Sequence, residues 1–165
     1  MAVAKGRKMR FFNGTETKIK ILAFNFREAI EKAKDNDEPG AFFRNFPYGQ
    51  CGNTSDLLAQ FFIDNGIGPI TYVSGTYYGN DLEDRWSHAW LSVDDLIIDI
   101  TGDQFKYHKG PLTYDIPVYI GPMTDFYRLF EIGTSGKCEH LGLEEQWVHY
   151  PELKKLYEII LKYLR

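Results

Sequence analysis

The chain has 165 residues, which suits one domain with a substantial buried core. Hydrophobic residues make up 44% and charged residues 25%, as in ordinary globular proteins, and the formal net charge of −4 argues against a general nucleic-acid-binding surface. No apolar run reaches the ~18 residues of a membrane span, and no apolar signal-peptide core follows the basic residues near the N-terminus. The two cysteines, Cys51 and Cys138, make neither a disulfide framework nor a zinc-ligand spacing. We therefore expect a cytoplasmic protein with free thiols and with no membrane association, metal or other cofactor.

Apolar periodicity and turn signals predict a single α+β domain over residues 1–165. In chain order, the expected elements are a short strand at 9–12, helices at 17–35 and 51–64, strands at 70–78, 86–93, 96–101 and 118–120, a short helix or strand at 125–130, and a terminal helix at 152–164. In the helix at 17–35, the residues expected to face the core are Ile21, Phe24, Phe26, Ala29, Ile30 and Ala33. The residues expected on its exposed face are Arg27, Glu28, Glu31 and Lys32.

The helix at 51–64 begins at a cysteine that follows the turn-like segment Pro47-Tyr48-Gly49. A thiol at a helix N-terminus faces unpaired backbone N–H groups and the positive end of the helix dipole. Both features favour the thiolate, which is the nucleophilic form of cysteine. One stripe of the helix, expected to pack on the sheet, contains Cys51, Ser55, Leu58 and Phe62.

His88 and Asp99 are expected to meet across a hairpin that turns at Asp94-Asp95. A two-residue loop places Trp90 opposite Asp99 and His88 opposite Thr101, so these side chains share one face of the sheet. A shift of one residue would turn Asp99 to the other face, and an Asp-Asp turn favours the two-residue loop. The opposite face is expected to belong to the core, because it carries Ala89, Leu91, Val93, Leu96, Ile98 and Ile100.

A cysteine, a histidine and an acid in this arrangement predict nucleophilic catalysis. His88 can take the proton of Cys51, and Asp99 can accept from the far imidazole nitrogen and stabilise its positive charge. The thiolate would attack an amide carbonyl and form a thioester, which water or an amine then resolves. Thr101 and Asp103 are alternatives for the acid, but Asp103 lies beyond the end of the strand, which favours Asp99.

The tetrahedral intermediate also needs two hydrogen-bond donors for its oxyanion. The backbone N–H of Cys51 is expected to be one, and the side chain of Gln50 or Asn45 the other; the sequence does not choose between these two. Gln104, just beyond the acid strand, could reach the site by position alone. Residues expected to pack beside the site or to line a substrate groove are Trp90, Gly52 and Tyr48. We interpret Cys138-Glu139-His140 as structural, because no further ligands lie nearby.

These motifs resemble those of the transglutaminase superfamily. The resemblance covers about residues 45–105 and consists of Tyr48-Gly49-Gln50-Cys51, a strand over 72–78, Ser87-His88-Ala89-Trp90 and Ile98-Asp99-Ile100-Thr101, in that order. It implies a papain-like fold, in which the cysteine-bearing helix packs on an antiparallel sheet that carries the histidine and the aspartate. It also implies a Cys-His-Asp triad.

The resemblance further implies a cysteine peptidase or amidase that acts on a peptide or protein substrate, because bacterial members of the superfamily often have these activities. Gly52 stands where cross-linking enzymes often carry a large aromatic residue, which favours hydrolysis over cross-linking. Acyl transfer to, or deamidation of, protein glutamine by the same triad is the alternative. A non-catalytic binding module on the same scaffold is the other alternative, and the intact triad argues against it. Charged residues before His88 indicate a polar substrate: Asp81, Glu83, Asp84 and Arg85.

Overall fold

The computed structural model describes residues 14–164, which form an α+β arrangement of helices packed on a five-stranded antiparallel sheet. The helices are α1 (Gly14–Asp35), α2 (Ala41–Asn45), α3 (Cys51–Asp64), α4 (Asp125–Arg128) and α5 (Tyr150–Lys162). The strands are β1 (Ile70–Tyr78), β2 (Arg85–Val93), β3 (Leu96–Asp99), β4 (Tyr119–Gly121) and β5 (Lys137–His140). Two short 3₁₀ helices cover Gly102–Phe105 and Gly110–Leu112. The strand predicted at 9–12 lies outside the described residues.

The strands are ordered β4-β3-β2-β1-β5, so the hairpin of β2 and β3 lies near the middle of the sheet. Leu91 pairs with Ile98 and Val93 with Leu96, which leaves Asp94 and Asp95 as a two-residue loop. Asp94 adopts a positive φ of 52°, which the short polar side chain of an aspartate tolerates in such a turn. The predicted register is therefore confirmed, and it is the register that turns Asp99 towards His88.

Each face of the sheet supports a separate apolar cluster. The face towards α1, α3 and α5 carries Leu91, Val93, Ile98 and Ile100, as predicted. The other face is covered by the chain between 102 and 130, and the buried residues there are Val73, Trp90, Ile97, Phe105, Leu112, Phe126, Tyr127 and Phe130. This second cluster surrounds the imidazole of His88.

The orientation predicted for α1 is wrong in part. Ile21 and Phe24 are 55% and 56% exposed, whereas Ile19 and Arg27 are buried. Arg27 faces inward because its charge is paired there: it donates to both carboxylate oxygens of Asp103 at 2.8 Å. Local periodicity placed Arg27 with the exposed charges because its partner lies far along the chain.

One strand, one α-helix and the two 3₁₀ helices were absent from the prediction, and one predicted strand ends earlier than expected. The strand β5 falls where a loop was expected, because its Lys-Cys-Glu-His sequence lacks the apolar alternation of a buried strand. It exists because its backbone pairs with the free edge of β1. The short helix α2 was not predicted, and β3 ends at Asp99 rather than at 101. Among the helices within residues 14–164, none has the length and apolar character needed to traverse a membrane.

Candidate active site

Cys51 is the first residue of α3, as the sequence predicts. The His88 imidazole, the backbone N–H of Ala89 and the side chain of Gln104 approach its sulfur closely enough to lower the pKa of the thiol. The thiol is partly exposed. A partly exposed sulfur that several donors approach is well placed to be a reactive thiolate.

His88 and Asp99 form a buried pair beside this thiol. The Nε2 atom of His88 lies 2.7 Å from Oδ2 of Asp99, and the two residues are 1% and 2% exposed. Because Nε2 is engaged by the carboxylate, Nδ1 is the imidazole nitrogen left for Cys51. The structure therefore brings Cys51, His88 and Asp99 together in the order that the sequence analysis expected.

The Asp99 carboxylate is supplied with donors on both oxygens. Oδ1 accepts from the backbone N–H and the hydroxyl of Thr101, at 2.9 and 3.2 Å. Oδ2 accepts from the Tyr127 hydroxyl at 3.0 Å, in addition to His88. Burying an ionised carboxylate is unfavourable unless hydrogen bonds and a charge partner compensate, and here both are present. Of the two alternatives for the acid, Thr101 donates to Asp99, and Asp103 pairs with Arg27 instead.

The electrostatics of the three groups favour a charged pair. Burial alone would lower the pKa of His88, but the charge and hydrogen bond of Asp99, with a further contribution from Cys51, raise it to about 9. Burial alone would raise the pKa of Asp99, but the charge of His88 and the donated hydrogen bonds hold it below its usual value. Burial likewise opposes ionisation of Cys51, yet His88, Ala89 and Gln104 hold the thiol pKa below its usual value. The two shifts, down for the thiol and up for the imidazole, both favour a thiolate–imidazolium pair over the neutral pair.

Gln104 is the functional residue that the sequence only placed within reach. Its Nε2 lies 3.1 Å from Nδ1 of His88, and its Oε1 accepts from the backbone N–H of Gly49 at 3.3 Å. The backbone N–H of Gly49 can only donate, so the Gln104 atom that faces it is the amide oxygen. The amide nitrogen of Gln104 therefore points towards His88 and Cys51. The side chain thereby connects the loop before the cysteine to the histidine strand.

The two residues predicted as side-chain oxyanion donors have other surroundings. The side-chain oxygen of Gln50 accepts from Nδ2 of Asn53 at 3.4 Å, and Asn45 is exposed at the end of α2. The side-chain amide that contacts both the thiol and the imidazole belongs to Gln104. The only indication of Gln104 in the sequence was its position, five residues after Asp99.

The predicted groove residues take different places. Trp90 is 2% exposed, and its ring centroid lies 5.5 Å from that of His88, so it packs beside the base. Tyr48 is 46% exposed and lines an open groove together with Gln104. A Cβ atom added to Gly52 would stand 3.3 Å from the hydroxyl of Tyr72, so a side chain at this position would crowd the start of α3.

Rings from the second apolar cluster enclose the imidazole of His88. Phe105 meets it edge-on at 5.1 Å and Tyr127 stacks at 6.5 Å, while Trp90, Phe126 and Phe130 lie between 5.5 and 6.1 Å. These rings exclude water from the histidine and hold it in one orientation. Four of these five rings, all except Trp90 of β2, come from the chain between 102 and 130, where no periodicity reveals this role.

Arg27 holds the segment that follows Asp99. Besides its two bonds to Asp103, its guanidinium donates to the backbone oxygen of Ile100 at 2.8 Å and lies 4.7 Å from the ring centroid of Phe46. Phe46 precedes the loop that leads to Cys51. The arginine therefore joins the two chain segments that supply the thiol and the acid.

The segment Cys138-Glu139-His140 belongs to β5, the strand that pairs with β1. His140 donates from Nε2 to Asp56 at 3.0 Å and accepts from the backbone N–H of Gly142 at 3.0 Å, so it links β5 to α3. Both ring nitrogens are engaged, which agrees with the structural interpretation of this segment. Within residues 14–164, no cluster of three or more His, Cys, Asp or Glu side chains could hold a metal ion.

Comparisons with known proteins found no matching family model, no matching curated protein and no matching solved structure. The function is therefore argued from the site itself.

Proposed function

We propose that the protein is a cysteine-dependent amide hydrolase, a peptidase or amidase, with Cys51 as nucleophile, His88 as base and Asp99 as the orienting acid. The observation that carries this proposal is the buried His88–Asp99 pair, 2.7 Å apart, whose second imidazole nitrogen lies towards a thiol at a helix N-terminus and also contacts the Gln104 amide. A purely structural cysteine would have no need of a neighbouring base that is itself held by a carboxylate.

In the acylation half of the proposed reaction, the Cys51 thiolate attacks the carbonyl carbon of the substrate amide. Negative charge develops on the carbonyl oxygen, and the backbone N–H of Cys51 and the amide nitrogen of Gln104 are the donors proposed to stabilise it. His88 then transfers its Nδ1 proton to the departing amine, the C–N bond breaks, and a thioester remains on Cys51.

In the deacylation half, the neutral imidazole of His88 takes a proton from water, and the resulting hydroxide attacks the thioester. The C–S bond breaks, the acid product leaves, and the thiolate–imidazolium pair is restored. Asp99 remains ionised throughout and stabilises the imidazolium whenever it forms. The four hydrogen bonds that its carboxylate accepts favour that constant charge.

The papain-like fold and membership of the transglutaminase-like superfamily are part of the same proposal. The support for them is the chain order of cysteine, histidine and aspartate, together with a helix that begins at the cysteine and packs on an antiparallel sheet. The implied substrate is a peptide or protein amide.

The ionisation of Cys51 tests the proposal directly. Iodoacetamide alkylates thiolates, so its rate follows the ionised fraction of each cysteine. Because His88 lowers the pKa of Cys51, the thiolate persists as the pH falls, and we expect rapid labelling of Cys51 at about pH 6.5. The exposed Cys138, which lies outside the triad, serves as the internal control, and at about pH 6.5 Cys51 should be alkylated faster than Cys138. Peptide mass spectrometry reads both sites in one sample.

The variant His88→Ala should move the labelling profile of Cys51 to that of Cys138, and Cys51→Ala should abolish hydrolysis of a peptide-amide library. Equal labelling of the two cysteines at every pH would contradict an activated thiolate. Incorporation of a labelled primary amine into proteins, with no net hydrolysis, would assign acyl transfer to the same triad instead.

A further inference from the structure

An open groove of about 560 Å³ adjoins the candidate active site, and Gln104 lies between the two. We call it the Trp86 groove, after the residue of β2 that precedes His88 by two positions, and it is lined in part by Tyr48, Asp81, Asp84, Trp86, Gln104 and Tyr107. Gln104 belongs to both places, because its amide nitrogen contacts His88 and Cys51. A substrate whose carbonyl lies at Cys51 would therefore extend its neighbouring group into this groove.

The groove exposes aromatic surface to solvent. Tyr48, Trp86 and Tyr107 are 46%, 42% and 75% exposed. The indole of Trp86 is held in place, because its N–H donates to Oδ1 of Asp84 at 3.0 Å and its ring meets that of His108 edge-on at 4.3 Å. The fixed, exposed indole of Trp86 offers a face on which a planar or positively charged group can stack, whereas the Tyr107 ring already has Nζ of Lys106 5.5 Å from its centroid.

The groove also carries an excess of negative charge. Asp81 and Asp84 supply two carboxylates, and Lys109 supplies one positive charge. Burial lowers the pKa of His108, although Asp84 opposes this, so the His108 ring is neutral near neutral pH. Asp81 and Asp84 each use one oxygen within the protein, Asp81 for the backbone N–H groups of Glu83 and Asp84, and Asp84 for Trp86. Aromatic faces beside carboxylates form an environment that favours a cation over a neutral or acidic group.

We propose that the Trp86 groove binds a positively charged side chain, that of arginine or lysine, next to the scissile amide of the substrate. This inference rests on the proposed function for placing that amide at Cys51, and it goes further by giving the substrate class. The planar guanidinium of arginine suits both the ring faces and a carboxylate, so arginine should be the preferred residue.

The first test is kinetic. Peptide amides with arginine, or its uncharged isostere citrulline, at each position that flanks the cleaved bond are compared by kcat/KM. We expect the wild-type protein to favour arginine at one position by about tenfold, which is the combined size of such a cation–π contact and a half-exposed ion pair. In Asp81→Asn/Asp84→Asn, which keeps the side-chain oxygens that accept the internal hydrogen bonds, this preference, taken as the ratio of kcat/KM for the arginine and citrulline peptides, should fall to about twofold or less.

The matched control is Glu83→Gln. Glu83 is an exposed carboxylate of the same loop and is not among the residues that line the groove, so its replacement removes one negative charge from the loop without touching the groove. This variant should retain the arginine preference. An equal loss in Glu83→Gln and in the double variant would show a diffuse charge effect and would overturn the proposal.

The second test measures binding alone, so that it does not depend on hydrolysis. Calorimetry compares N-acetylarginine amide with N-acetylcitrulline amide on Cys51→Ala protein, with and without the two aspartate changes. Tighter binding of the arginine amide that disappears with the aspartates supports the groove even if no peptide is cleaved, in which case only the proposed function fails. Hydrolysis without any arginine preference, or equal binding of both amides, overturns the groove assignment.

Discussion

Replacing Gln104 with alanine tests whether its amide stabilises the oxyanion. The substitution removes the nitrogen that lies 3.1 Å from Nδ1 of His88 and contacts Cys51, together with the oxygen that accepts from Gly49 at 3.3 Å. The Cys51, His88 and Asp99 side chains stay in place, because the His88–Asp99 contact and the enclosing rings do not involve Gln104.

The expected cost to catalysis is much larger than the expected cost to folding. Loss of one oxyanion donor typically lowers kcat by about 10²–10³. The two neutral hydrogen bonds contribute about 1 kcal/mol each to the free energy of unfolding, and the exposed Gly49 regains a water partner when its acceptor is removed. We therefore expect kcat to fall by about 100-fold, and the free energy of unfolding to fall by about 1 kcal/mol.

Two reactions of the same thiol separate the possible roles of Gln104. Amide hydrolysis passes through an oxyanion, whereas alkylation by iodoacetamide does not. Because Gln104 also helps to lower the pKa of Cys51, alkylation near neutral pH should slow slightly, by about threefold or less. Steady-state kinetics on a peptide amide and alkylation rates on the same preparations give both values. Gln50→Ala is the control, since Gln50 was the other glutamine predicted for this role.

A parallel fall of hydrolysis and alkylation in Gln104→Ala would refute the oxyanion role and would show that Gln104 acts through the thiolate instead. A 100-fold loss of kcat in Gln50→Ala, with kcat of Gln104→Ala nearly unchanged, would assign oxyanion stabilisation to Gln50 instead.

Two further predictions concern the groups around the site. Asp99→Asn should lower kcat by about 10²–10⁴, because an amide cannot stabilise the imidazolium and its NH₂ group faces donors; Asp95→Asn in the hairpin turn is the charge-matched control, and unchanged kcat in Asp99→Asn would contradict the triad. Arg27→Met should lower the free energy of unfolding in urea by about 3 kcal/mol, because it leaves the Asp103 carboxylate without its partner. Lys32→Met, which breaks an exposed ion pair with Glu28, should change the free energy of unfolding by less than about 0.5 kcal/mol. Equal losses in the two variants would show that the buried Arg27–Asp103 pair stabilises the fold no more than an exposed pair does.

The sequence by itself determined the parts of the site that depend on local rules. The start of α3 at Cys51 follows from the turn before it and the amphipathic pattern after it, and both helix bounds agree with the structure. The facing of His88 and Asp99 follows from the parity of a two-residue turn at Asp94-Asp95, since side chains alternate strictly along a strand. Neither result needs knowledge of distant parts of the chain.

Only the tertiary structure decided which distant residues complete the site. Gln104 reaches the thiol because its oxygen meets Gly49, 55 positions earlier, and Arg27 turns inward because Asp103, 76 positions later, neutralises its charge. Likewise, β5 is a strand only because β1 offers it an edge. The physical reason is the same in all three cases. Each residue or strand is positioned by a partner that folding brings close, and local sequence propensity does not identify that partner.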